Sequence, residues 1–276
     1  MKRQQQYISQ LLITLLFFAG CTERIDLELD NTDEKVVIEG EITTQSKPHK
    51  VAVTKSAPYF ANQTATPIED AQVWLHEGEN SWQLTEQEPG CYYTPEMEGR
   101  PGATYQLEVI AEGTKYTAQS IMPQLTVIDS IRFQEDIFND KDMEILLFAQ
   151  EPGDTKDFYM WKYFKNNTLE TDTITEATIE RDDLVNGSYI SWIGVMQVEN
   201  YSLHDTITLE MSSITEDYYW FLIEFFSETA WRGGPFDAPP ANITGNISNE
   251  ALGFFSTRSV SRKTRVIQPA TISERR

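Results

Sequence analysis

Three features of the sequence predict a mainly β fold: short runs of alternating apolar and polar residues, turn residues between most of them, and a single segment with helical periodicity. The runs between Val36 and Met122 lie close enough together to build an immunoglobulin- or fibronectin-like sandwich of about seven strands, residues 36–123. Those beyond Pro123 are longer-ranged and predict a second β-rich domain, residues 124–270, with one aromatic helix near 214–229.

Two segments precede the first strand. Lys2 and Arg3 open a leader whose apolar core, Leu11 to Ala19, runs into Ala19-Gly20-Cys21. A basic start, a short apolar run and small residues before a cut site mark a secretory signal peptide, residues 1–20. The run is about half of the roughly 20 residues that a helix needs to span a bilayer, so the leader is read as removed. Its end, "LFFAGC", resembles the lipobox of bacterial lipoproteins, which implies cleavage before Cys21 and acylation of its thiol and new amine. Acyl chains contribute about 0.8 kcal/mol per buried methylene, and several of them hold a domain on a membrane without a spanning helix. Residues 21–35 carry Glu23, Asp26, Glu28, Asp30, Asp33 and Glu34 and few apolar side chains, the composition of a solvated tether. Acidic residues behind the cysteine resemble the export signal of Bacteroidetes surface lipoproteins, and Thr22 resembles outer-membrane sorting. The resemblance implies lipid anchorage in the outer membrane, with the cell-surface side favoured over the periplasmic side.

The strands follow in order. "KVVIEGEIT" and "HKVAVTKSA" open the first part, then "AQVWLHEG" and "SWQLTEQ", each bounded by Gly or Pro. In "ATYQLEVIAEG" the residues Tyr105, Leu107, Val109 and Ala111 share one face, and Glu112-Gly113 turns the chain into "TKYTAQSIMP". The second part reads as "TVIDSIRF", "MEILLFAQ", "FYMWKYFKN", "YISWIGVMQVE" and "HDTITLEMSSI". Ser213 with Glu216 three residues on has the form of a capping box, and Ile214, Tyr218, Phe221, Leu222 and Phe225 fall on one helical face behind it.

Charge and motifs exclude several functions. The chain has 43 acidic and 22 basic residues, a net charge of −21, which becomes −23 once Lys2 and Arg3 leave. Nucleic acid requires a lysine and arginine footprint that such a surface does not offer. The three histidines, His49, His76 and His204, have no metal-binding spacing, and no G-x-S-x-G elbow, dinucleotide loop or P-loop occurs. No catalytic residue, metal site or cofactor is therefore assigned, and the chain is read as non-enzymatic. Cys91 has no disulfide partner once Cys21 is acylated, and is read as a half-buried residue beside a turn. Asp140, Asp142 and Glu144 alternate in "NDKDME", a pattern able to bind calcium but read as facing water on a hairpin.

The segment "FDAPPANITGNISNEALGFFSTRSV", Phe236 to Val260, together with "VVIEGEIT", "KSAPYF", "IEDAQVWL", "PGATYQLEV" and "IDSI", resembles a family of Bacteroidetes outer-membrane lipoproteins catalogued as domain of unknown function 4249. The resemblance implies a two-part β protein, often encoded beside a TonB-dependent transporter. It carries over no catalytic residues. An accessory role at such a transporter, by barrel contact or cargo capture, is therefore expected, with a stand-alone carbohydrate-binding or glycan-processing lipoprotein as the alternative. Pro239-Pro240, Gly245 and Gly253 shape the segment's backbone, and Phe254 or Phe255 enters a core. A structural loop locking the last strand is the leading expectation. Its recognition alternative rests on Trp231, Phe236, Asn242 and Asn246, which offer stacking and amide hydrogen bonds.

Overall fold

Strand β1 (Val36–Thr43) lies between an antiparallel neighbour, β2 (Lys50–Lys55), and a parallel one, the 15-residue β17 (Leu252–Val266). The computed structural model describes residues 34–56, 65–139, 141–171, 173–229 and 243–272. From β2 the sheet continues to β7 (Cys91–Tyr93) and β6 (Thr85–Glu88), with the short β3 (Thr66–Pro67) also on β2. Facing it is a sheet in the order β5 (Asn80–Gln83), β4 (Gln72–Glu77), β8 (Thr104–Ala111) and β9 (Thr114–Ile121). Ile38, Val51, Val53, Val73, Leu75 and Leu107 fill the space between, each at most 1% exposed.

The alternation expected in β8 holds, since Tyr105, Leu107, Val109 and Ala111 are all buried. At the following turn Glu112 (φ 50°) and Gly113 (φ 80°) are both left-handed, the backbone of a primed two-residue hairpin. Tyr105 makes a tyrosine corner, its hydroxyl accepting from the Arg100 amide at 2.9 Å and donating to Glu77 at 3.0 Å. "SWQLTEQ", expected as one strand, is two. Leu84 is buried between them, and β5 pairs with β4 whereas β6 crosses to the other sheet and pairs with β7.

The second sandwich has its own core. The sheet of β1 runs on through β17 to β16 (Thr206–Ile214) and β12 (Phe158–Lys165), which also carries β13 (Thr168–Leu169) and β14 (Thr178–Arg181). Opposite lie β10 (Ile128–Glu135), β11 (Met143–Gln150) and β15 (Tyr189–Val198). Tyr159, Trp161 and Tyr163 of β12 point into this core, while Phe158 and Met160 point to helix α1 (Glu216–Thr229) on the other face. The helix buries Tyr219 and Leu222, and Tyr218 and Phe221 pack on Phe254. The expected Ser213 cap is corrected: Ser213 lies in β16, and Thr215 caps the helix by accepting from the Tyr218 amide at 3.2 Å.

β17 belongs to both halves. Its first half, Leu252–Arg258, pairs with β1, and Ser259–Val266 pairs with β16. Ile247, Ala251 and Phe255 accordingly join the first core although they lie beyond residue 123. Gly253 (φ +95°) lets the strand approach β1, because a Cβ there would collide with the Ile38 carbonyl. Gly245 lies against the Gly253 carbonyl for the same reason.

An ion lattice fixes the junction. Arg258, 5% exposed, donates to Ser212 Oγ at 2.9 Å and pairs with Glu41 on β1. Glu210 of β16 is bound by Arg262 at 2.6 and 2.7 Å. The Arg258 guanidinium holds the Glu41 carboxyl down to about 2.

Candidate functional site

The most distinctive surface lies on β15. As the outer strand of its sheet it would be expected to alternate, but two β-bulges break its register with β11. Ser191 and Trp192 together oppose Phe148, and Val195 is the extra residue between Gly194 and Met196. Val195 and Met196 are therefore both buried although adjacent. Trp192 is left-handed, at φ 62°, which is a strained conformation for so bulky a residue. Bulges on edge strands re-aim side chains. Here the bulge directs the Trp192 ring edge-on against Phe148, at 5.4 Å between centroids and 72°. Arg132, exposed on β10, places its guanidinium 5.8 Å from Phe148 and 5.7 Å from Trp192.

Beside this aromatic face is a cleft of about 290 Å³ whose walls include Asp136, Glu144, Thr178, Gly194 and Gln197. Gly194 has no side chain to obstruct Glu144, whose carboxylate lies where a Cβ would project. Gln197 donates to Asp136 Oδ2 at 3.1 Å, and Asp136 Oδ1 accepts from the amides of Phe138 and Asn139 at 2.7 and 3.0 Å. The turn so formed leaves Phe138 90% exposed. Hydrogen-bonding groups thus line a cleft whose Gly194 wall lies two residues along β15 from the Trp192–Phe148 pair. The sequence signalled "YISWIGVMQVE" as a strand. The bulges that turn Trp192 and open the Gly194 position have no sequence pattern of their own beyond that glycine.

A second cluster was missed entirely. Carboxylate oxygens of Glu151, Asp157 and Asp182 lie within 4.8 Å of one another, and Glu151 and Asp182 are each 1% exposed. Glu151 and Asp157 stand at the two ends of the β11–β12 connection, and Asp182 follows β14. Glu151 accepts from Tyr159 Oη and the Gly187 amide, both at 2.9 Å, and burial pushes its carboxyl above the ordinary range. Oxygen donors so placed have the chemistry to hold a divalent cation. In "NDKDME", whose carboxylates are expected to face water, Asp142 is instead buried and accepts from Asn139 Nδ2 at 2.7 Å and the Asn200 amide at 2.9 Å, while Asp140 lies outside the described residues.

Of the residues expected to bind, Asn246 is engaged internally. Its amide donates to the Phe255 carbonyl at 2.8 Å and accepts from the Phe255 amide at 2.9 Å, acting as an added strand residue for β17. Cys21, Trp231, Phe236 and Asn242 lie outside the described residues. Cys91 is a half-buried free thiol in β7, as expected. No helix among the described residues is long and apolar enough to cross a membrane.

Two β-sandwiches joined through one strand, the first with a tyrosine corner, define a mainly β protein of fibronectin-like architecture. The chain belongs to the family described as domain of unknown function (DUF4249), whose model matches residues 22–264. Among solved structures it is similar to the FN1–FN3 domains of chicken CNTN1, at 13% identity and a TM-score of 0.25 over 65% of this chain and 60% of that one. It is also similar to a two-domain fibronectin type III segment of chicken tenascin, at 10% identity and a TM-score of 0.21 over 66% of this chain and 91% of that one. Nothing among curated proteins matches the sequence significantly.

Proposed function

We propose that the chain is a non-enzymatic lipoprotein, anchored in the outer membrane through Cys21, that serves a TonB-dependent transporter by contacting its barrel or capturing its cargo. The leader ending at Cys21 and the acidic tether behind it support the anchorage. The observation that carries cargo capture is the strained Trp192 held against Phe148 on an outer sheet face beside a polar cleft. Strain of this kind persists where the surrounding structure enforces it, and it clusters at binding surfaces. The same face favours the second reading, a carbohydrate-binding or glycan-processing lipoprotein that works without a transporter.

Anchorage is tested by Cys21→Ser. The wild-type chain should incorporate radiolabelled palmitate and fractionate with outer membranes, and the variant should do neither. An unlabelled wild-type chain would remove the anchor from the account. Protease shaving of intact cells then distinguishes the surface side, where the chain is cleaved, from the periplasmic side, where it is spared.

A further inference from the structure

Resting on that reading of the aromatic face, the geometry points to a neutral saccharide as its ligand, its ring stacked at Trp192 and its hydroxyls bound in the cleft of Asp136, Glu144 and Gln197. We infer this class from three features: Trp192, the polar cleft that begins two residues further along β15, and charge.

The first is the tryptophan. A left-handed Trp192 at a two-against-one bulge is an unfavourable way to fill an outer strand, and glycine would fit that backbone without strain. What the bulge achieves is the placement of an indole beside Phe148 and within reach of the Arg132 guanidinium. The C–H face of a pyranose ring is apolar and weakly positive, and aromatic faces are negative, so the two stack as other edge and face contacts do.

The second is the polar lining. Two carboxylates, Asp136 and Glu144, the Gln197 amide and the Thr178 hydroxyl line the cleft. Carboxylates accept from hydroxyl groups in strong, charge-assisted hydrogen bonds. The volume of about 290 Å³ suits one sugar ring, with the chain of a longer saccharide continuing over the open surface. Phe138, 90% exposed on the turn that Asp136 caps, offers a second ring two residues from the cleft.

The third is charge. Net −21, with two carboxylates in the cleft itself, repels an anionic glycan, and the Arg132 guanidinium lies against the aromatic rings. Among saccharides, an uncharged one therefore fits this cleft better than an anionic one.

The test is calorimetric titration of the detergent-solubilised full chain with cellohexaose, xylohexaose, maltohexaose and mannohexaose, and with oligogalacturonate as an acidic probe. At least one neutral hexaose should bind with a micromolar to sub-millimolar Kd and the acidic probe should not. Trp192→Gly, which keeps the left-handed backbone, should weaken that binding at least tenfold while the melting temperature stays within a few degrees. Should Trp192→Gly fail to fold, Gln197→Ala, an exposed residue whose side chain bonds Asp136, should lower affinity at least fivefold. No binding of any neutral probe at millimolar concentration would overturn the inference. Preference for oligogalacturonate, or wild-type affinity in the folded variant, would also overturn it. Co-purification of a barrel without saccharide binding would overturn the saccharide alone and leave the accessory role. Saccharide binding with no barrel would leave the saccharide and remove the accessory role.

Discussion

Replacing Arg258 by alanine tests how the two sandwiches are joined. The guanidinium is 5% exposed, donates to Ser212 Oγ at 2.9 Å and pairs with Glu41 across the β1–β17 junction. Removing one partner of a buried ion pair costs about 3–5 kcal/mol, because the other charge is left without compensation. Two features place this case at the lower end. The Glu41 side chain is 37% exposed and can recover water, and Glu210 keeps Arg262. A loss of about 3 kcal/mol follows, or a fall in Tm of about 6–12 °C at the 2–4 °C per kcal/mol usual for a chain this long. Differential scanning calorimetry at pH 7 measures it, and a single transition is expected because β17 pairs with β1 in one half and β16 in the other. The double variant Glu41→Gln/Arg258→Met removes both charges and fills the volume, and should recover most of the loss. A loss below about 1 kcal/mol, or a trace that splits into two transitions, would refute the reasoning.

Other outcomes follow from single sites. Tyr105→Phe deletes a buried hydroxyl that bridges the Arg100 amide and Glu77, and should lower the urea unfolding free energy by about 2 kcal/mol. Gly253→Ala adds left-handed strain of about 1–3 kcal/mol to a collision with the Ile38 carbonyl, and should abolish soluble, cooperatively melting protein. Acidification should act in two stages. Burial lowers His49 from 6.5 to about 4, so its stabilisation is lost as pH falls through that interval; Glu41, lowered from 4.5 to about 2 by Arg258, is lost below it. Glu151 has the opposite sign: burial raises its folded value, so stability is present at low pH and lost as pH rises through that value. Glu151→Gln should therefore raise the urea midpoint at pH 8 more than at pH 4.

Much of the fold was legible because half-buried strands print their environment at every second residue. The shared face of Tyr105 to Ala111 was read directly, as were the strand at "FYMWKYFKN" and the Glu112-Gly113 turn. What escaped depends on partners far away in sequence. Nothing in "GFFSTRSV" states that β17 runs on to Val266 or that it lies parallel to β1, more than 200 residues earlier. The split at Leu84 depends on which sheet receives each half. Trp192 looked like an ordinary strand residue, because a bulge is set by the register of β11 opposite it. Glu151 and Asp157 share the β11–β12 connection but Asp182 follows β14, so no local spacing brings the three together.

The accessory role stands or falls on one measurement. A C-terminally tagged chain, extracted gently from outer membranes, should bring down a TonB-dependent barrel in near-equimolar yield. Recovery of the chain alone under conditions that keep other membrane complexes intact would contradict that role and leave a lipoprotein that acts by itself.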